Sequence, residues 1–327
     1  LIADRAELNK KLSIDHFFPP YFSILLPELG RPRYAIKCVD SIHNYADMPV
    51  EIVLHDDGSS RESQKILFDS LKDRVSTMIF NLGGNVGLAK AMNRCKDASS
   101  SEYLLEFNTD TYMTSSFLKN MKAALDLPYV GVVNVTPRIA DGPGVYISPG
   151  GSKVALTRGS GTTLHIGIRR SVYEEVGNWD ENVQTTASDT GFVGSVFGKG
   201  YFSVMVEGTI FNEMWLPSLD GKGNSGEPNP EYVSAARFTD HDNNPPIMFG
   251  LDKGTYDSLR HRRREDIWRG VNDANQREKM YPQWYNGVFL SDQLEKLYPR
   301  DKPIDWKFGE KYGHSKWRDQ VIKDFNL

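Results

Sequence analysis

The sequence has almost no cysteine. Cys38 and Cys95 are the two in 327 residues, so a disulfide framework is excluded as the device that holds the chain together. Both fall at core-facing positions of expected helices and read as buried free thiols, which suits a reducing, cytoplasmic setting. Long apolar runs are missing too. None approaches the roughly 18 residues of a membrane span, so no transmembrane segment is expected. Neither sign of charge is in large excess: 43 acidic against 39 basic residues leave a net charge of -4. Generic attraction to nucleic acid or to an anionic membrane is therefore not indicated. No internal repeat is visible.

What is present is an ordinary globular balance, with 39% hydrophobic and 25% charged residues. The length suits two domains, or one large α/β domain with an appendage. Residues 1–20 are expected to form a short helical arm that ends at Phe17-Phe18-Pro19-Pro20. From there apolar strands alternate with helices. Strands are expected at Tyr21–Leu26, Val50–Leu54, Thr77–Phe80, Tyr103–Phe107 and Tyr129–Val135. Helices are expected from Pro32, where Ala35, Cys38, Val39, Ile42 and Tyr45 recur at helical spacing, and through Leu71, where Ser59 and Glu62 could form a capping box. Further helices are expected over 86–97, from a Thr114 cap to Leu125, and over 188–199, with a strand at Tyr201–Glu207. This alternation predicts a mostly parallel sheet with right-handed crossovers. Residues 137–161 read as loops or irregular strands. The stretch 216–246 is dense in Gly, Pro, Asn and Asp and reads as a long loop or boundary. The expected organisation is thus an arm over 1–20, an α/β domain over 21–215, and a loop-rich C-terminal region over 216–327.

The chemistry gathers at strand ends. Glu102-Tyr-Leu-Leu-Glu-Phe-Asn-Thr-Asp110 runs an apolar strand into Asn108-Thr109-Asp110, and the carboxyl ends of strands are where open α/β sheets bind ligands. One carboxylate there can hold a hard divalent cation if a substrate phosphate completes the ligand set. A solvated Asp at a strand end is the plainer alternative. Upstream, Asp56-Asp57-Gly58-Ser59 follows another strand; its carboxylates could accept hydrogen bonds from a base or a ribose, or simply form a strand-to-helix turn. Gly83, Gly84 and Gly87 in Asn81–Asn93 permit close backbone approach at a helix start that favours anions, and Asn85 and Asn93 could line a pocket. Downstream, Asp189 could be a general base or a helix cap.

Taken together, these four elements resemble the nucleotide-sugar-binding domain of family 2 glycosyltransferases with the GT-A fold. The resemblance covers roughly residues 20–210. It rests on Phe22-Ser-Ile-Leu-Leu-Pro27, the Asp-Asp-Gly-Ser turn, the segment from Asn85 to Asn93, and Asn108-Thr-Asp110. It rests also on Val176-Gly-Asn-Trp-Asp-Glu181 and on Asp189 before Gly198-Lys-Gly-Tyr201. It implies a metal-dependent enzyme that moves a sugar from a nucleotide-diphosphate sugar to a glycan, lipid-linked or other hydroxyl acceptor, by inversion. It also implies a donor-binding set of Pro27, Asp56, Asp57, Asn85, Gly87, Asn93, Asn108, Thr109 and Asp110. Asp110 would bind Mn2+ or Mg2+, with Asn108 in place of the first Asp of the family's DxD-type motif. Asp189 would be the catalytic base and His241 a further metal ligand. A location in the cytoplasm or at the periphery of a membrane would follow.

Two other classes stay open at this level. A nucleotidyltransferase would favour a basic, glycine-rich loop after the first strand, whereas Pro27-Glu-Leu-Gly-Arg-Pro-Arg33 is short and has two arginines. A non-catalytic nucleotide- or carbohydrate-binding module of the same fold is the other. The basic run Arg260–Arg264 reads as a solvated helix face or a phosphate contact. The aromatics Trp268, Tyr281, Trp284, Tyr285, Trp306 and Trp317 read mostly as core.

Overall fold

The computed structural model describes residues 20–157, 165–181, 188–212 and 304–327. The N-terminal arm, the 216–246 stretch, His241, the 260–264 run and the aromatics from Trp268 to Tyr285 lie outside the described residues.

The expected alternation is present. β1 (Phe22–Glu28), β2 (Val50–Asp56), β3 (Thr77–Phe80) and β4 (Tyr103–Phe107) are joined by α1 (Pro32–Tyr45), α2 (Arg61–Leu71) and α3 (Leu88–Asp97). β5 (Thr111–Met113), α4 (Leu118–Leu125), β6 (Val130–Thr136), β7 (Val145–Ile147), β8 (Lys153–Leu156) and β9 (His165–Arg169) follow. α5 (Arg170–Val176), α6 (Ser188–Gly198), β10 (Phe202–Glu207) and β11 (Ile210–Asn212) lead to the C-terminal α7 (Trp306–Glu310) and α8 (Arg318–Phe325). Central strands carry apolar runs because helices cover both faces of the sheet. Phe22, Ile24, Leu25 and Leu26 of β1 are fully buried. α1 begins at Pro32, whose fixed φ suits a first helical position, and it buries Ala35, Cys38, Val39 and Ile42.

Nine strands form one sheet in the order β3-β2-β1-β4-β9-β6-β10-β8-β7, and β5 pairs with β11 in a small second sheet. β1, β2, β3 and β4 are mutually parallel. β9 runs antiparallel between β4 and β6, and β8 runs antiparallel to β10. This is an α/β fold with a mostly parallel central sheet flanked by helices. The chain steps outward from β1 to β2 and β3, then returns to lay β4 on the other side of β1. That reversal opens a crevice at the carboxyl ends of β1 and β4, where doubly wound sheets bind ligands.

Two local expectations change. The N-cap of α2 is Ser60, whose hydroxyl accepts from Ser63 N at 3.2 Å. Ser59 is engaged elsewhere, accepting from Gly30 N at 2.8 Å. Thr114 is not a cap either: α4 starts at Leu118, and the Thr114 hydroxyl donates to Thr209 at 2.9 Å. The stretch 137–161, expected as loops or irregular strands, holds the β7–β8 hairpin, which extends the sheet beyond β10.

The C-terminal helices pack on this sheet. Val321 and Phe325 are fully buried, and the Phe325 ring lies 6.3 Å from Tyr129 and 6.0 Å from Tyr146. Trp317 sits 6.1 Å from Tyr129, and His314 meets the Phe202 ring at 4.8 Å. The Tyr129 hydroxyl donates to Asp324. Gly200 and Gly313 touch so closely that a Cβ on Gly200 would lie 2.8 Å from the Gly313 carbonyl.

Phe325→Ala should lower the unfolding free energy by about 3–5 kcal/mol, the range for an aromatic removed from a core, as read by urea denaturation; a loss below about 1 kcal/mol would mean that α8 is not part of the core. His314 gives a pH test. Burial, aided by nearby Lys316, lowers its pKa from 6.5 to about 4. The folded protein therefore keeps it neutral while the unfolded chain protonates it below about 6.5, so its contribution to stability is lost as pH falls from 6.5 toward 4. A His314→Phe variant should show an acid limb shallower by up to about 1.4 kcal/mol per pH unit, measured as urea stability between pH 7 and 4.5. An unchanged slope would show that His314 does not titrate this way.

Candidate functional site

The carboxyl ends of β1, β2 and β4 bring the first three sequence clusters together. In the β1–β2 register Pro27 pairs with His55 and Glu28 with Asp56. Asp57 N donates to Glu28 O at 2.8 Å, which extends the pairing one step past the strand.

Asp57 is 4% exposed and fastens the loop that precedes α3. Its carboxylate accepts from Val86 N at 3.0 Å, Gly87 N at 2.9 Å and Asn81 Nδ2 at 3.3 Å. Asn85 Oδ1 also accepts from Gly87 N at 2.8 Å. Burial raises the Asp57 pKa to about 6 against these bonds, which lower it. Asp56 is fully buried; it accepts from Gln64 Nε2 at 2.8 Å and Ser59 N at 3.3 Å, and burial raises its pKa. Gly58 turns between them with φ +92°. A Cβ on it would lie 2.5 Å from the Gly84 carbonyl carbon and 2.8 Å from Asn85 N. Glycine is required on both counts, the positive φ and the backbone contact.

Asn108-Thr109-Asp110 lies across the crevice from β1. The Thr109 hydroxyl donates to Glu28 Oε2 at 2.6 Å. The Arg31 guanidinium donates to Asp110 Oδ2 at 3.0 Å and forms an ion pair there. Arg31 N in turn donates to Glu28 Oε1 at 2.5 Å. Glu28, Thr109, Asp110 and Arg31 thus close a ring that ties the end of β1 to the end of β4. Glu28 is 2% exposed, and burial raises its pKa to about 7, with Asp56 adding repulsion and the bonds from Thr109 and Arg31 opposing it. Glu28 and Arg31 are not among the residues expected at the site from the sequence. Glu28 could have been found by the rule that singled out Asp57 and Asp110, a carboxylate at the end of a buried strand.

This donor set suits a hard divalent cation as a one-carboxylate site. Asp110 offers one anionic ligand, and diphosphate oxygens would have to supply most of the others. The guanidinium at 3.0 Å shows that the position beside Asp110 accepts a cation. Among the described residues no group of three or more His, Cys, Asp or Glu side chains is arranged to hold a metal ion. His165, at the start of β9 opposite Phe107, is buried, and burial lowers its pKa to about 4.

A second assembly links β4 to α6. The Asn93 amide donates to Trp179 O and to Glu181 Oε1, both at 3.0 Å, and its oxygen accepts from Trp179 N at 3.0 Å and the Tyr173 hydroxyl at 3.3 Å. Trp179 Nε1 donates to Glu106 Oε1 on β4 at 2.8 Å. Phe192 of α6 stacks on Trp179 at 5.5 Å and lies 4.7 Å from Tyr173. Asp189 is in the first turn of this helix; its side chain lies outside what is described.

The family model for glycosyl transferase family 2 matches residues 23–176. The chain carries a glycosyl transferase family 2 domain. The match spans the Asp56-Asp57 turn, the Asp57-fastened loop, Asn108–Asp110 and most of the Trp179 assembly's partners. The protein is accordingly a glycosyltransferase. A comparison with curated protein sequences gives no match. Among solved structures, the mannosyltransferase PcManGT from Pyrobaculum calidifontis, in complex with GDP-Man and Mn2+, is similar at 14% identity. That alignment covers 91% of this chain and 94% of that one, with a TM-score of 0.45. TarS 1-349 from S. aureus, in complex with UDP-GlcNAc, is similar at 14% identity over 91% of this chain and 92% of that one, with a TM-score of 0.46. Likenesses this distant leave the donor, metal and acceptor of the family 2 domain to be argued from its own residues.

Gly58→Ala should destabilise the domain by roughly 1–3 kcal/mol through overpacking against Gly84. It should also weaken nucleotide binding by displacing the 81–87 loop from Asp57. Urea denaturation and nucleotide titration check both; wild-type stability would remove the contact as a constraint.

Proposed function

We propose that this domain transfers a sugar from a nucleotide-diphosphate sugar to an acceptor hydroxyl, with Mn2+ or Mg2+ held at Asp110 and with inversion. The observation that carries this reading is the position of Asp110. It lies at the end of β4, across the β1/β4 crevice, already partnered by a cation.

Each side of the crevice has a task in this reading. The loop that Asp57 fastens, with Asn85 and Gly87, shapes the nucleoside side, and Pro27, Asp56 and Asn93 hold its floor and walls. Asn108 and Thr109 flank Asp110 on the diphosphate side. Residue Asp110, with His241 as a further candidate, would hold the cation, which when bound supplies positive charge to the leaving diphosphate. Asp189 takes the proton from the acceptor hydroxyl as it attacks from the face opposite the leaving group. Support for Asp189 comes from the packing of its helix: Phe192 stacks on Trp179, which Glu106 holds only two residues before Asn108. This packing ties α6 to β4 through Phe192, Trp179 and Glu106, which supports a reading in which donor and acceptor are oriented together.

The acceptor is a glycan, a lipid-linked sugar or another hydroxyl compound. Among the described residues no helix is long and apolar enough to cross a membrane. The two buried free thiols suit a cytoplasmic setting.

Release of nucleoside diphosphate from a panel of nucleotide sugars with Mn2+ tests the reaction. Pyrophosphate in its place would make the protein a nucleotidyltransferase. In the same assay Asp110→Ala should lose both transfer and Mn2+-dependent nucleotide binding. Asp189→Asn should lose ~10²–10⁴-fold in turnover, the usual range for a general base, while keeping nucleotide affinity. Full turnover in either variant would remove that residue from its role.

A further inference from the structure

The ring formed by Glu28, Thr109, Asp110 and Arg31 contains one long cationic side chain, that of Arg31. Its other bonds fix backbone or short side chains: Arg31 N is tied to Glu28 Oε1, and the Thr109 hydroxyl is tied to Glu28 Oε2. The Arg31 side chain, by contrast, is long and lies at the mouth of the crevice. Its guanidinium sits 3.0 Å from Asp110 Oδ2 and 5.6 Å from the centre of the Tyr34 ring. Arg31 and Asp110 keep 19% and 13% of their side-chain surface exposed, so the pair stands at the boundary between the core and solvent.

We propose that Arg31 is a built-in counter-cation for Asp110 that exchanges with the incoming divalent cation and then binds the diphosphate of the donor. This rests on the reading of Asp110 as the cation-holding carboxylate. Without donor, the Asp110 carboxylate, next to Thr109 that is bonded to buried Glu28, has the Arg31 guanidinium as a positive partner. A divalent cation must displace the guanidinium from Asp110, so the ion pair opposes metal binding when no nucleotide is present. A diphosphate held by that cation lies within a few ångströms of Asp110, and therefore within reach of a side chain that already spans that distance. A guanidinium is always charged and offers a planar fork of donors that fits phosphate oxygens. Its backbone, held by Glu28, need not move, and only the side chain turns. The exchange makes cation binding and nucleoside-diphosphate binding mutually reinforcing.

The test is a Mn2+ titration of the whole protein by electron paramagnetic resonance, without nucleotide, followed by titration of UDP, GDP, ADP and CDP at saturating Mn2+. In Arg31→Gln, Mn2+ alone should bind about fivefold more tightly, the effect of removing a partly exposed ion pair. The nucleoside diphosphate that the wild type binds best should bind about tenfold more weakly, the effect of losing a charge-assisted bond to phosphate. Unchanged or weaker Mn2+ binding, or unchanged nucleotide binding, overturns the proposal. Asp110→Asn separates the two levels. If it loses Mn2+ while Arg31→Gln gains nothing, the exchange fails and the Asp110 reading stands; if it binds Mn2+ as the wild type does, the Asp110 reading itself fails. Should Arg31→Gln not fold, Arg31→Lys keeps the charge without the planar fork. It should hold Mn2+ affinity within about twofold of wild type and lose about threefold in nucleotide affinity; wild-type nucleotide affinity in that variant overturns the proposal.

Discussion

Buried negative charge at one end of the sheet is the constraint on which the rest depends. Glu28, Asp56 and Asp57 are almost fully buried, and Asp110 is largely so. A carboxylate withdrawn from water costs several kcal/mol unless donors or cations compensate. The surrounding loops take the shapes that supply those partners. Asp57 draws the 81–87 loop onto Gly58, Asp56 draws in Gln64, Glu28 gathers Thr109 and the Arg31 amide, and Asp110 takes the Arg31 guanidinium. Burial still raises the pKa of Glu28 to about 7 and that of Asp57 to about 6, against the hydrogen bonds that lower them.

The same sheet carries two devices that stiffen the site from a distance. Trp179 is held at its backbone by Asn93 and at its indole by Glu106, and it receives Phe192 from α6. The helix that begins with Ser188 and Asp189 is thereby referred to β4 rather than left to its own loop. On the far half of the sheet, Phe325, Trp317 and His314 pack around Tyr129 and Phe202. The last two dozen residues of the sequence are thus part of the core that orients β6 and β10.

Much of this was legible in the sequence. The central strands and their helices followed from hydrophobic period, and the strand ends at Asp56-Asp57 and Asn108–Asp110 followed from where apolar runs stop. Local polar chemistry was harder to read. Ser59 and Thr114 have the composition of N-caps, yet their hydroxyl groups serve Gly30 and Thr209, because partners distant in sequence proved nearer than the local helix. Asn93 has the composition of a pocket residue, but nothing local foretells that its amide also holds the turn at Trp179 and Glu181 and meets Tyr173, 80 or more residues away. The β7–β8 hairpin hid in a glycine-rich stretch because short edge strands carry little periodicity.

The sequence by itself determined the α/β alternation, the acidic strand ends and the family to which their order points, because period and strand-end chemistry are local properties. Only the tertiary structure decided how those ends are neutralised. Glu28 and Arg31 precede Asp110 by about 80 residues, and no spacing along the chain foretells that they close a ring with it. That ring forms because β4 is laid beside β1 at the point where the sheet reverses direction, so that a glutamate, an arginine and an aspartate from separate segments must settle their charges against one another.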